Sequence, residues 1–183
     1  GDEVKTTKLI SRLNGENTPI ISHIKSLYAG KEYFAGFYIP LELWPFCKFD
    51  QPGFAKPVTD TTLGNIRNFL QSTTDSCKHE VTNASVTASV YFNPWQFMDW
   101  VGPDKTFIMY KDTIFRDTKL DAVMVQDGIG TRIIEASNVG GKLQTCHARA
   151  VDLTTQYFSA FYDACNANGI PVWADIEVFT AGP

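Results

Sequence analysis

The chain has 183 residues, 44% of them hydrophobic and 20% charged, with a formal net charge of -4. That is the composition of one globular domain with a real core, not of a disordered segment. No lysine–arginine cluster supplies the basic face of a nucleic-acid binder, and no apolar run approaches the ~20 residues of a membrane span.

The opening Gly1-Asp2-Glu3-Val4-Lys5 has no signal-peptide pattern and reads as a processed start. Thr18-Pro19 opens a helical pattern through Ile20, Ile21, Ile24, Leu27 and Tyr28, with Pro at the first helical position and Gly30 past the end. A strand over Tyr33–Leu41 and a Pro- and Phe-rich loop from Leu43 to Val58 follow. Asp60 is a candidate N-cap for a helix carrying Leu63, Ile66, Phe69 and Leu70. Thr87 to Phe92 reads as the second strand. Pro103-Asp104 starts a helix with Phe107, Ile108, Tyr110, Lys111, Ile114 and Phe115. Leu120 to Val125, almost continuously apolar, reads as a strand covered on both faces. A loop with four glycines spans Gly128 to Gly141. Then comes a helix of about 20 residues with Val151, Leu153, Phe158, Phe161 and Tyr162, stopping near Asn168-Gly169. Ile170 to Phe179 is the fourth strand.

Regular alternation of strand and helix predicts parallel βαβ units with right-handed crossovers in a single α/β domain over residues 1–183. A closed (β/α)8 barrel has eight strands and ~250 residues; four strands make either an open sheet or about half of a barrel. A half barrel leaves apolar edges that need covering by a second copy, a partner chain or more of the same polypeptide.

The four cysteines, Cys47, Cys77, Cys146 and Cys165, form no CxxC pair, so neither a zinc nor a redox site is indicated. Cys146 and Cys165 flank one predicted helix and would lie about 28 Å apart along it, too far for a disulfide. Free buried thiols are the plain reading, with disulfides open for a secreted protein. Asn83-Ala84-Ser85 is a glycosylation sequon, meaningful only in a eukaryotic secretory pathway. His23, His79 and His147 fall on predicted helices, and no spacing suggests a metal site. Gly128-Ile129-Gly130 is too short for a phosphate loop, and no Ser or Cys sits in a nucleophile elbow.

All four strand-like runs end on polar residues: Glu42, Asn93, Gln126-Asp127 and Glu177. In a parallel sheet or barrel such ends meet at one rim, where active sites sit. Side chains alternate along strands, so Tyr38 and Pro40 share a face with Glu42, and Trp173 and Asp175 share one with Glu177. Two carboxyl groups suit glycosidic cleavage, one protonated to serve the leaving oxygen and one ionised to attack or to activate water. Trp44, Trp95 and Trp173 are candidate platforms for sugar rings. Tyr38, Asn93, Gln126, Asp127 and Asp175 are candidates for binding hydroxyls.

Phe34-Ala35-Gly36-Phe37-Tyr38-Ile39-Pro40-Leu41-Glu42, Leu120 to Gly130 with its Gln126-Asp127-Gly128, and Pro171 to Phe179 with Trp173 and Glu177 carry a family resemblance. They are similar to three segments of domain of unknown function 4434, and the resemblance runs from about Thr18 to Phe179. That family resembles (β/α)8 glycoside hydrolases and is common in bacterial secreted proteins and lipoproteins. The resemblance implies a TIM-barrel-like fold with this chain supplying strands four to seven. It implies a secreted, periplasmic or cell-surface location, a carbohydrate ligand and no cofactor. By analogy with the largest clan of retaining barrel glycosidases, Glu42 would be acid/base and Glu177 nucleophile. That clan usually has Asn before the acid/base, where Leu41 stands here. Three expectations follow: a glycosidase, a sugar-binding module on the same rim, or a half barrel that pairs with another chain.

Overall fold

The computed structural model describes residues 2–43, 47–51, 54–57, 59–92, 102–126 and 143–175. In chain order the elements are helix α1 (Asp2–Tyr28), strands β1 (Gly36–Leu43), β2 (Cys47–Gln51) and β3 (Phe54–Pro57), helix α2 (Asp60–Glu80) and strand β4 (Ser85–Tyr91). Helix α3 (Pro103–Met109) then runs into a π-helical turn (Tyr110–Ile114), followed by strand β5 (Ala122–Gln126), helix α4 (Leu143–Ala167) and strand β6 (Val172–Asp175).

β1, β4, β5 and β6 form one sheet in that order, every neighbouring pair parallel. Strand order follows chain order and never reverses. Right-handed crossovers stepping one way across a sheet put all their helices on one face, and the burial pattern agrees. Phe37, Ile39, Leu43, Val86, Ala88, Val90, Phe92, Val123 and Val125 belong to one apolar core that also takes Ile21 from α1, Leu63 and Phe69 from α2, Met109 from α3, Ile114 and Phe161. The alternate residues Tyr38, Thr87, Ser89, Tyr91, Ala122 and Met124 stand outside that core, on the opposite face.

Pro19 does not start the first helix. It lies inside α1, which begins at Asp2. An interior proline forfeits one backbone bond and crowds the carbonyl four residues back; here Pro19 is exposed and that residue is Gly15. The additional turns are held by packing on α2. Asn65 Nδ2 donates to Thr7 Oγ1 at 2.9 Å, Ser72 Oγ donates to Asn14 Oδ1 at 2.9 Å, Asn17 Nδ2 donates to Thr73 Oγ1 at 2.9 Å, and Lys25 Nζ pairs with Glu80 at 3.0 Å. Both helices advance together through these pairs, so they run parallel, as successive helices of βα units do.

The segment read as one loop from Leu43 to Val58 contains the antiparallel pair β2–β3. Its signal was Pro52-Gly53 between two short runs, a turn dipeptide. The cap of α2 is Thr59, whose hydroxyl accepts from the Thr62 N–H, and Asp60 is the first helical residue. The π turn is closed by the Phe115 N–H on the Tyr110 carbonyl at 2.9 Å. Asn168, at the end of α4, donates its amide to the Lys111 carbonyl at 3.1 Å and the Ala164 carbonyl at 2.9 Å, which ties the π turn to α4.

Candidate functional site

The face of the sheet turned away from the helices carries the side chains of interest. Its register gives levels. Tyr38, Thr87 and Ala122 share the first; Ser89, Met124 and Trp173 share the second; Tyr91, Gln126 and Asp175 share the third, at the C-terminal ends of the strands. The two central strands contribute small, buried side chains, Thr87, Ser89 and Ala122, as a floor. The outer strands contribute exposed aromatics, Tyr38 at 47% and Trp173 at 53% exposure. Tyr38 and Ser89 are fixed to each other, hydroxyl to hydroxyl, at 2.7 Å.

Glu42 is the penultimate position of β1. The pairing of β1 with β4 slips there: Ile39 pairs with Ala88, but the next pair is Leu43 with Val90, so four residues of β1 span two of β4. The slip sets the backbone of Glu42, just before Leu43, back by two positions from the level of Tyr91. Such irregularities recur beside active sites, where they re-aim a side chain. Pro40 falls inside this stretch of β1, an outermost strand of the sheet, where a missing N–H costs no ladder bond.

The family model described as Domain of unknown function (DUF4434) matches residues 2–183. The chain belongs to this family. Among curated proteins and among solved structures nothing matches.

In this DUF4434 chain, Tyr38, Gln126, Trp173 and Asp175 come together on one face, as expected from strand alternation. Trp44, Asn93, Trp95, Asp127 and Glu177 lie outside the described residues, and Glu42 is described as a strand position. Ser89 and Tyr91 join the face without having been singled out. The alternation Thr87-Ala88-Ser89-Val90-Tyr91 was their signal, a polar residue at every second position of an otherwise apolar run.

An apolar cavity of about 400 Å³ lies on the helix side of β1, lined by Leu13, Ile20 and Ile24 of α1 and Phe69 of α2 among others. Among the described residues it is lined by no carboxylate, histidine or cation. Among the described residues no group of three His, Cys, Asp or Glu could hold a metal ion. Cys77 and Cys165 are free and buried; burial pushes their thiols up to about 11 and about 12, which makes both poor nucleophiles. His23 and His79 are exposed on α1 and α2, away from the face. No helix of the described residues is long and apolar enough to cross a membrane.

Proposed function

We propose that this chain is the rim-bearing part of a (β/α)8-type glycoside hydrolase-like protein, secreted or cell-surface, with Glu42 and Glu177 as the carboxyl pair. The observation that supports the reading most is the sheet face turned away from the described helices. Of its four sequentially ordered parallel strands, β4, β5 and β6 deliver Tyr91, Gln126 and Asp175 at one level of their C-terminal ends, with Trp173 exposed beside them. Barrel enzymes work at that end of their strands. In this reading Tyr38, Trp44, Asn93, Trp95, Gln126, Asp127, Trp173 and Asp175 line the sugar site, Glu42 protonates the leaving oxygen and Glu177 attacks or activates water.

Spacing sets a condition. β1 and β6 are three strand steps apart, about 14 Å across a flat sheet, whereas glycosidase carboxyls sit roughly 5–9.5 Å apart. Only inward side chains on a sheet curved towards closure bridge that gap, with a second copy, a partner chain or further polypeptide completing the barrel. On a flatter sheet the same face binds sugar without cutting it. The two readings separate in one experiment. Purified protein is incubated with a panel of oligosaccharides, and Glu42→Gln and Glu177→Gln are compared with wild type for turnover and for binding. Cleavage that falls at least about 10²–10⁴-fold in each variant, with binding kept, supports the hydrolase. Binding without turnover in the wild type supports the binding module, and unchanged turnover in both variants sinks the carboxylate assignment.

A further inference from the structure

The third level of the face turned away from the described helices differs from the first two. There Tyr91 of β4 pairs with Gln126 of β5, and Gln126 with Asp175 of β6. Adjacent strands lie about 4.8 Å apart, so the row spans roughly 10 Å. Tyr91 and Gln126 are half-buried and Asp175 is exposed. Below them the Tyr38 hydroxyl is already committed to Ser89. In the row, by contrast, no side-chain hydrogen bond or ion pair engages Tyr91, Gln126 or Asp175 among the described residues.

Polar groups with no side-chain partner among the described residues are open to water or to a ligand that replaces it. A phenol donates or accepts, a primary amide does both, and a carboxylate only accepts. Three such groups at one level match the hydroxyls of a polyol lying across the strands. Charge narrows the ligand further. The described residues of this face include Asp175 and no lysine, arginine or histidine. Among these described residues an acidic ligand would meet a like charge with no cation to offset it, the element that selects against it.

We infer that Tyr91 is a ligand-binding residue, and that the Tyr91–Gln126–Asp175 row takes an uncharged polyhydroxylated chain in preference to an acidic one. The inference rests on the carbohydrate reading above and adds to it a substrate class and a residue. The test is calorimetric titration of the full chain with cellohexaose, xylohexaose, mannohexaose and maltohexaose, and with hexagalacturonate as the acidic probe. At least one neutral hexasaccharide binds, and hexagalacturonate binds tenfold or more weakly. Tyr91→Phe removes only a hydroxyl. It weakens neutral binding about five- to tenfold, the worth of one hydrogen bond. With any neutral chain that is cleaved, it raises KM while kcat stays within about twofold. Gln126→Ala, a second variant on the same row, weakens the same ligand. Hexagalacturonate binding as tightly as the neutral chains overturns the class. Neutral binding that Tyr91→Phe and Gln126→Ala leave at wild-type strength overturns the row and leaves the carbohydrate reading standing. Failure of all five probes to bind overturns both.

Discussion

Gly36 opens β1 against the start of β4, and the approach leaves no space for a side chain: a Cβ there would lie 1.9 Å from the Ser85 carbonyl oxygen. Its φ of +158° adds a backbone that side chains rarely adopt. Gly36→Ala must therefore move one strand off the other, and a fall in the urea midpoint with loss of amide protection in β1 checks it. The β4–β5 junction is closed differently. Asp121 accepts from the Val86 N–H and from Lys78 Nζ, both at 2.8 Å, while its own N–H donates to the Val86 carbonyl at 2.9 Å. Neither contact is visible in sequence, because each joins residues far apart in the chain. The buried thiols give a pH prediction. Burial pushes the Cys77 and Cys165 thiols up to about 11 and about 12, against about 8.5 in an unfolded chain. Above about pH 8.5 the unfolded chain releases protons that the native state keeps, so stability present at neutral pH is lost as pH rises towards those values. Urea unfolding measured from pH 8 to 11 should show that decline, and Cys165→Ala should flatten it.

The helices differ in how far their sequence announces them. α2 was legible because Leu63, Ile66, Phe69 and Leu70 recur at helical spacing, and all four are buried. Gly64 within it is open, with nothing within 4 Å of a built Cβ. Gly64→Ala should stabilise by about 0.5–1 kcal/mol through the unfolded state, read as a melting temperature a few degrees higher. α1 was legible only after Pro19, since its earlier turns carry few apolar residues and meet α2 largely through polar side chains. Periodicity detects an apolar stripe, not a seam of asparagine, serine and threonine. The π turn was invisible for a similar reason, because its stability depends on Asn168, 57 residues from the carbonyl it caps.

At the scale of the whole molecule, one core joins the sheet to the four described helices. Phe161 of α4 sits at its centre, fully buried, 4.8 Å edge-on to Tyr110 and 6.2 Å from Phe92, which itself stacks on Tyr157 at 5.4 Å. Phe161→Ala should cost about 3–5 kcal/mol, a large share of a typical 5–15 kcal/mol. Near- and far-ultraviolet dichroism should still report a single shared, earlier transition. The sequence by itself determined the alternation of strand and helix, and hence the parallel sheet. It also determined which residues of each strand share a face, because apolar runs and two-residue periodicity are local properties of the chain. Family membership came from the same local segments. Register is not local, and only the tertiary structure decided it. The slip between Ile39 and Leu43 moved Glu42 relative to β4, and pairing across three strands set Tyr91 level with Gln126 and Asp175. Backbone hydrogen bonds between distant segments fix those levels, so a residue that alternation marks only as facing one side becomes a neighbour of particular others when the strands dock.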